Sequence, residues 1–280
     1  IASSKLFNAL KCLLEQPRTI VIAKVYIKRN SDFDSDLSDY KNFVSQLQVT
    51  FNIKSQPNVL LNDCIETQKA GILIRQYFET TLYQKIIRPP FLSSTEKKWL
   101  AFQMVAAVKQ LHSQGFAHGD IKSENFLVTS WNWVFLSDIS FFFKPTYIAE
   151  GDMTAYKCFF TRSKLEKCNL APERFITKEK VVEGGEVAFS MDIFSLGCVI
   201  AELFQEGIAT FTLAQLLAYR RGENSLDNVL SGVPDPQIKE LLKKMLALNP
   251  FERIDIQAVE EAFKTEIIPK TPQEVLYPFV

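Results

Sequence analysis

A chain of 280 residues with 47% hydrophobic residues can bury a large core as one domain. Its 32 basic side chains equal its 32 acidic ones, which gives no reason to expect nucleic acid or a strongly anionic membrane surface as a partner. Two histidines, His112 and His118, are too few for a histidine-rich zinc or iron site.

Five scattered cysteines, Cys12, Cys64, Cys158, Cys168 and Cys198, include no C-x-x-C pair and read as reduced thiols of a cytosolic protein. No leader pattern opens the chain and no apolar run approaches the ~20 residues that span a bilayer. The opening Ile1 reads as an internal residue of something longer.

In chain order, Thr19 to Ile27 is β-branched and apolar and reads as a strand. The acidic stretch Ser31 to Asp39 reads as a loop. It leads into a helical pattern from Tyr40 to Phe51, with Phe43, Val44, Leu47 and Phe51 on one face. Val59-Leu60-Leu61 and Ile72-Leu73-Ile74 read as two more strands. A long helix begins at Ser94-Thr95-Glu96, carries Trp99, Phe102, Met104, Val105, Val108 and Leu111, and ends at Gly115. Phe126 to Val128 and Trp133 to Leu136 form a strand pair around a polar turn. Beyond Pro172 the pattern is helical, at Asp192 to Gln205, Thr212 to Arg221 and Pro236 to Leu248. A strand-rich first third before a helical remainder gives an α+β fold with two lobes.

The chemistry concentrates in His118-Gly119-Asp120-Ile121-Lys122-Ser123-Glu124-Asn125, followed by Asp138. Phosphoryl transfer needs a carboxylate to accept the proton of the attacking hydroxyl, and oxygen ligands that hold magnesium against nucleotide phosphates. A short loop can present Asp120 and Asn125 together, and the next strand pair brings Asp138 opposite. Lys24, on its strand as Ile22-Ala23-Lys24, is a fixed cation for phosphates.

In this order the residues resemble the eukaryotic protein-kinase family along the whole chain. Lys24 matches its strand lysine, His118 to Asn125 its catalytic loop, and Asp138-Ile139-Ser140 its Asp-Phe-Gly triplet. Ala171-Pro172-Glu173 matches the end of its activation segment. Asp192 to Gly197 matches its central helix, and Arg253 the partner of Glu173. Small-molecule phosphotransferases of the aminoglycoside and choline kinase type share the His-Gly-Asp loop but lack the Ala-Pro-Glu closure. The resemblance is closer still to the kinase domain of the regulatory (vacuolar protein sorting) subunit of class III phosphatidylinositol 3-kinase. The run Thr129-Ser130-Trp131-Asn132-Trp133 and the segments Lys144 to Tyr147, Ala171 to Phe175 and Gln215 to Arg220 carry it.

The resemblance implies residues 1–79 as small lobe and hinge, and 80–280 as large lobe with an activation segment over 138–173. It implies Asp120 and Lys122 as catalytic, and Ala23, Lys24 and Leu127 as nucleotide-binding. Asn125 and Asp138 become metal ligands, and His118, Glu173, Asp192 and Arg253 structural. The implied cofactors are Mg(2+) or Mn(2+) with ATP or GTP. The implied partners are the lipid-kinase catalytic subunit, its autophagy and endosomal adaptor subunits, and small GTPases, on endosomal and autophagic membranes.

Several positions depart from the kinase pattern. The first glycine is Gly71, so Ile1 to Lys5 stands where a glycine loop covers the phosphates. The helix after Lys24 offers Lys41, Asn42, Ser45 and Gln46 but no glutamate, leaving Asp39 or Gln46 to orient Lys24. Gly119 replaces the arginine that grips a phosphorylated loop, and Ile139-Ser140 replaces Phe-Gly. Phe141, Phe142, Phe143, Tyr147, Tyr156, Phe159 and Phe160 read either as packing on the large lobe or as a docking surface. Trp131 and Trp133 read as anchors of their turn. Lys164, Lys167, Arg174 and Lys178 read as a solvated face.

Overall fold

The computed structural model describes residues 2–3, 8–27, 41–42, 44–46, 57–139, 144–160, 167–177 and 187–268. The first part is a sheet of five strands. Strand β1 (Ala2–Ser3) pairs with β2 (Asn8–Leu14), and β2 turns through residues 15–18 into β3 (Thr19–Ile27). Strands β4 (Asp63–Glu66) and β5 (Ala70–Gln76) complete the order β1-β2-β3-β5-β4, all antiparallel. β3 matches the expected strand because its β-branched residues pair on both sides, Lys24 with Ala9 and Leu73.

Val59 to Leu61 does not form the expected strand. Val59 makes one parallel bridge to Leu136, and the fourth strand lies further on at Asp63–Glu66. Residues 57–60 instead strap the sheet to the helical part. Asn58 donates from Nδ2 to Val134 O (2.8 Å), and its carbonyl accepts from Leu136 N (2.7 Å). Gln110 bonds both the amide and the side chain of Asn58, and Trp133 Nε1 reaches Pro57 O at 3.3 Å. Of the helix expected over Tyr40 to Phe51, residues 41–42 and 44–46 are helical and the rest lies outside the described residues.

After β5 come the short strand β6 (Thr80–Thr81) and helices α1 (Leu82–Ile87) and α2 (Ser94–Ser113). Ser93 caps α2, with Glu96 reaching back to the Ser93 amide at 2.9 Å. Gly115, at φ +82°, ends it. Strands β7 (Phe126–Val128) and β8 (Val134–Leu136) pair with β6 in a three-stranded sheet. Beyond β8 come β9 (Ile148–Ala149), helix α3 (Thr154–Phe159) and β10 (Phe175–Ile176), which pairs parallel with β9.

Helix α4 (Phe189–Phe204) is mostly apolar and buried from Met191 to Phe204, as a central core helix must be. Helices α5 (Leu213–Arg220), α6 (Leu226–Val229), α7 (Pro236–Met245) and α8 (Ile256–Ala262) pack around it, and α8 continues in a π-turn over Phe263–Ile267. The arrangement is α+β, a sheet-rich part followed by a helical one. No helix among the described residues is long and apolar enough to cross a membrane.

Candidate active site

The loop between α2 and β7 is held from behind by a buried charge. Asp192, on the first turn of α4, accepts from the amides of His118 (2.6 Å) and Gly119 (3.0 Å), and its Oδ2 lies 3.0 Å from His112 Nε2. Burial alone would push the Asp192 carboxyl upward, but His112 and these amides hold it below the ordinary range. His118 is fully enclosed. Its Nε2 faces Ser137 O at 2.9 Å and its Nδ1 faces the Asp120 amide at 3.2 Å. A carbonyl only accepts and an amide only donates, so the proton belongs on Nε2 and the ring is neutral. Burial lowers its pKa accordingly. Gly119 has φ +78°, where a residue with a Cβ is strained.

These anchors aim Asp120 and Asn125 into the cleft. Asn125 Nδ2 donates to Asp120 O at 2.8 Å, leaving its side-chain oxygen as the atom open to a ligand. Asp120 Oδ2 receives Lys122 Nζ at 2.6 Å and also Lys144 Nζ. Burial opposes the charge on Asp120, yet the two ammonium groups hold its carboxyl far below the usual range. Across the cleft, Asp138 leaves β8 at φ +65°; Lys24 Nζ is 2.5 Å from its Oδ1 and Arg75 Nε 3.6 Å. Ser137, which the sequence reading passed over, bonds Asn125 O through both its amide (2.9 Å) and its hydroxyl (3.0 Å), joining the two halves.

The enclosed space is about 440 Å³. Ile22, Tyr77, Phe78 and Leu127 supply apolar walls, while Lys24, Arg75, Asp120, Lys122, Asn125 and Asp138 supply polar groups. Ala23 is not at this wall: on a strand of period two it faces away from Lys24, and Ile22 stands in its place. Residues 4–7, Asp39 and Ser140 lie outside the described residues.

The oxygens of Asn125 and Asp138 suit a hard divalent cation. Among the described residues no cluster of three or more His, Cys, Asp or Glu side chains could hold a metal, so nucleotide phosphates and water would have to complete its shell.

Further along, Glu173 and Arg253 form a paired fork at 2.7 and 3.2 Å. The expected solvated face is corrected at two positions. Lys167 is 7% exposed and lies 2.9 Å from both Glu202 and Glu124. Arg174, 1% exposed, gives its guanidinium to three carbonyls: Thr146 (2.7 Å), Gly119 (2.7 Å) and Pro145 (3.0 Å). Lys164 and Lys178 lie outside the described residues, as do Phe141 to Phe143. Tyr147, Tyr156, Phe159 and Phe160 are buried or half-buried, with Tyr156 against Phe160 and Phe175, so these rings pack inward. Of the two tryptophans, Trp133 anchors its turn on Pro57 while Trp131 is 68% exposed.

A family model described as protein kinase domain matches residues 7–264. Among curated relatives, "Serine/threonine-protein kinase VPS15" of Arabidopsis thaliana is 41% identical over 92% of this chain and 17% of its own length. "Probable serine/threonine-protein kinase vps15" of Dictyostelium discoideum is 43% identical over 83% of this chain and 12% of its own. "Serine/threonine-protein kinase VPS15" of Saccharomyces cerevisiae is 34% identical over 95% and 18%. The chain thus spans under a fifth of the length of these three relatives. It belongs to the protein-kinase family.

Proposed function

We propose that this protein-kinase-family chain binds ATP or GTP with Mg(2+) or Mn(2+) and uses the occupied cleft to regulate a partner. The observation that carries the reading is the convergence of Lys24, Asn125 and Asp138 on one cleft of about 440 Å³ with apolar walls. Ile22 and Leu127 would enclose the base, Lys24 the phosphates, and Asn125 and Asp138 the metal. His118, Asp192, Glu173 and Arg253 would keep the framework rigid. A ligand at ~100 times its Kd adds roughly 2.7 kcal/mol to the folded form, enough to fix a segment at the cleft edge.

The names of the relatives support a place as the regulatory subunit of class III phosphatidylinositol 3-kinase. In that setting the chain scaffolds the lipid-kinase catalytic subunit and its adaptor subunits in endosomal sorting and autophagy, on the corresponding membranes. Small GTPases are further candidate partners. Thermal unfolding with and without magnesium nucleotide, beside Asp138→Ala, tests the site. A magnesium-dependent rise in Tm that is lost in the variant supports it, and no rise with millimolar ATP or GTP sinks it.

A second reading is slow phosphoryl transfer to serine or threonine, favoured by Lys122 lying 2.6 Å from Asp120. Transfer to a peptide, abolished by Asp120→Asn, would establish it; binding without transfer would leave the first reading alone.

A further inference from the structure

Lys144, six residues past Asp138, is 4% exposed, and its ammonium is drawn onto Asp120 Oδ2. That oxygen already meets Lys122 Nζ at 2.6 Å and Asn125 Nδ2 at 3.4 Å. The backbone that carries Lys144 is fixed as well. Arg174 donates to the carbonyls of Pro145 and Thr146 and, with the same guanidinium, to Gly119, the residue before Asp120. Phe160 completes the clasp, with Lys144 Nζ 4.9 Å and the Arg174 guanidinium 5.0 Å from its ring centre. Phe160 and Tyr156 also line the cleft beside Asp120. The activation segment is therefore tied to the catalytic loop by a cation of its own, and no phosphate group is needed to make the tie.

We propose that Lys144 is a positioning residue that locks Asp120, holding an ammonium where an acceptor hydroxyl must approach, so that the cleft keeps its nucleotide without passing on the terminal phosphate. The proposal rests on the nucleotide-binding reading above. In transfer, the acceptor oxygen would bond to the γ-phosphorus while the bond from that phosphorus to the β–γ bridging oxygen breaks. The nucleoside diphosphate leaves and the hydroxyl proton passes to Asp120. Lys144 opposes this by holding a buried ammonium against Asp120 Oδ2, where it crowds the hydroxyl's approach and stabilises the charged carboxylate, making it a poorer proton acceptor.

The test uses the full-length protein with γ-labelled ATP and GTP and a serine/threonine peptide, with the nucleotide-induced Tm shift measured in parallel. Lys144→Met is expected to raise kcat at least about tenfold, a fraction of the ~10²–10⁴ that a positioned base supplies. KM for nucleotide should stay within about threefold, and adding Asp120→Asn should remove the gain. Lys144→Arg, which restores a donor to the same carboxylate, should return the rate to that of the parent. A merely structural lysine would not give this Met-against-Arg split in kcat. Equal rates for parent and Lys144→Met, with both showing the Tm shift, overturn the lock and leave the nucleotide site standing. No shift in either protein overturns the nucleotide reading, and the lock falls with it. If Lys144→Met does not fold, reductive methylation of the parent decides. Lys144 spared while exposed Lys69 is modified, and reactive once Asp120→Asn is introduced, supports the lock. Lys144 modified as fast as Lys69 in the parent overturns it.

Discussion

Behind the loop from His118 to Asn125, Asp192 and Arg174 are buried to within 1% and bonded on several sides, whereas across the cleft Lys24 and Asp138 meet with 14% and 16% of their side chains still open to solvent. The first group is locked by backbone amides and carbonyls. The second is a loose assembly of charges, Lys24 and Arg75 on one carboxylate, that a ligand can rearrange. Buried charge that is fully matched builds a frame, and charge at a cleft edge stays available for a ligand.

Four substitutions or titrations would break or sharpen that contrast. Asp192→Ala leaves two buried amides without an acceptor and should cost about 3–5 kcal/mol in denaturant unfolding. A loss below about 1 kcal/mol would show that the frame does not depend on it. Lys167→Met strands Glu202, whose burial already raises its carboxyl pKa, and should cost about 3 kcal/mol by the same measurement. Acidification should act through His118. Its folded pKa is depressed below the ordinary 6.5 by burial, so the stability it contributes is present above that value and is lost as pH falls through it. Tm should therefore drop further between pH 7 and pH 5.5 in the parent than in His118→Asn, and equal slopes would contradict a neutral buried ring. Lys24→Met should move stability by about 1 kcal/mol or less, because Arg75 still faces Asp138, yet it should abolish the nucleotide-induced Tm shift.

The framework was readable from sequence where local pattern and tertiary role agree. Thr19 to Ile27 and Phe126 to Val128 carry their strand signal in their own residues, and Asp120, Asn125 and Asp138 announce themselves by chemistry and spacing. What was missed depends on distant partners. Arg174 and Lys167 look like surface charges beside Pro172 and Cys168, and only the fold supplies carbonyls from residues 119, 145 and 146, or Glu202 from α4. Lys144 is invisible as a neighbour of Asp120 for the same reason. The place of Ile22, rather than Ala23, on the face of Lys24 is legible in the sequence, since alternation along β3 puts residues two apart on one side. β2 gives no clear strand signal, because five of its seven residues are exposed and polar and apolar side chains do not alternate along it.

The strap of residues 57–60 on β8 has a mechanical side. The sheet is joined to the helical part by the chain running through Tyr77 to Glu79, and a second time by Asn58 and Trp133. Two fastenings define a line. Motion of the sheet over the cleft then reduces to swinging about that axis. Loosening one fastening, as Asn58→Ala would, turns a swing into a wobble, so the cleft would lose its defined closing path while every group inside it stayed intact.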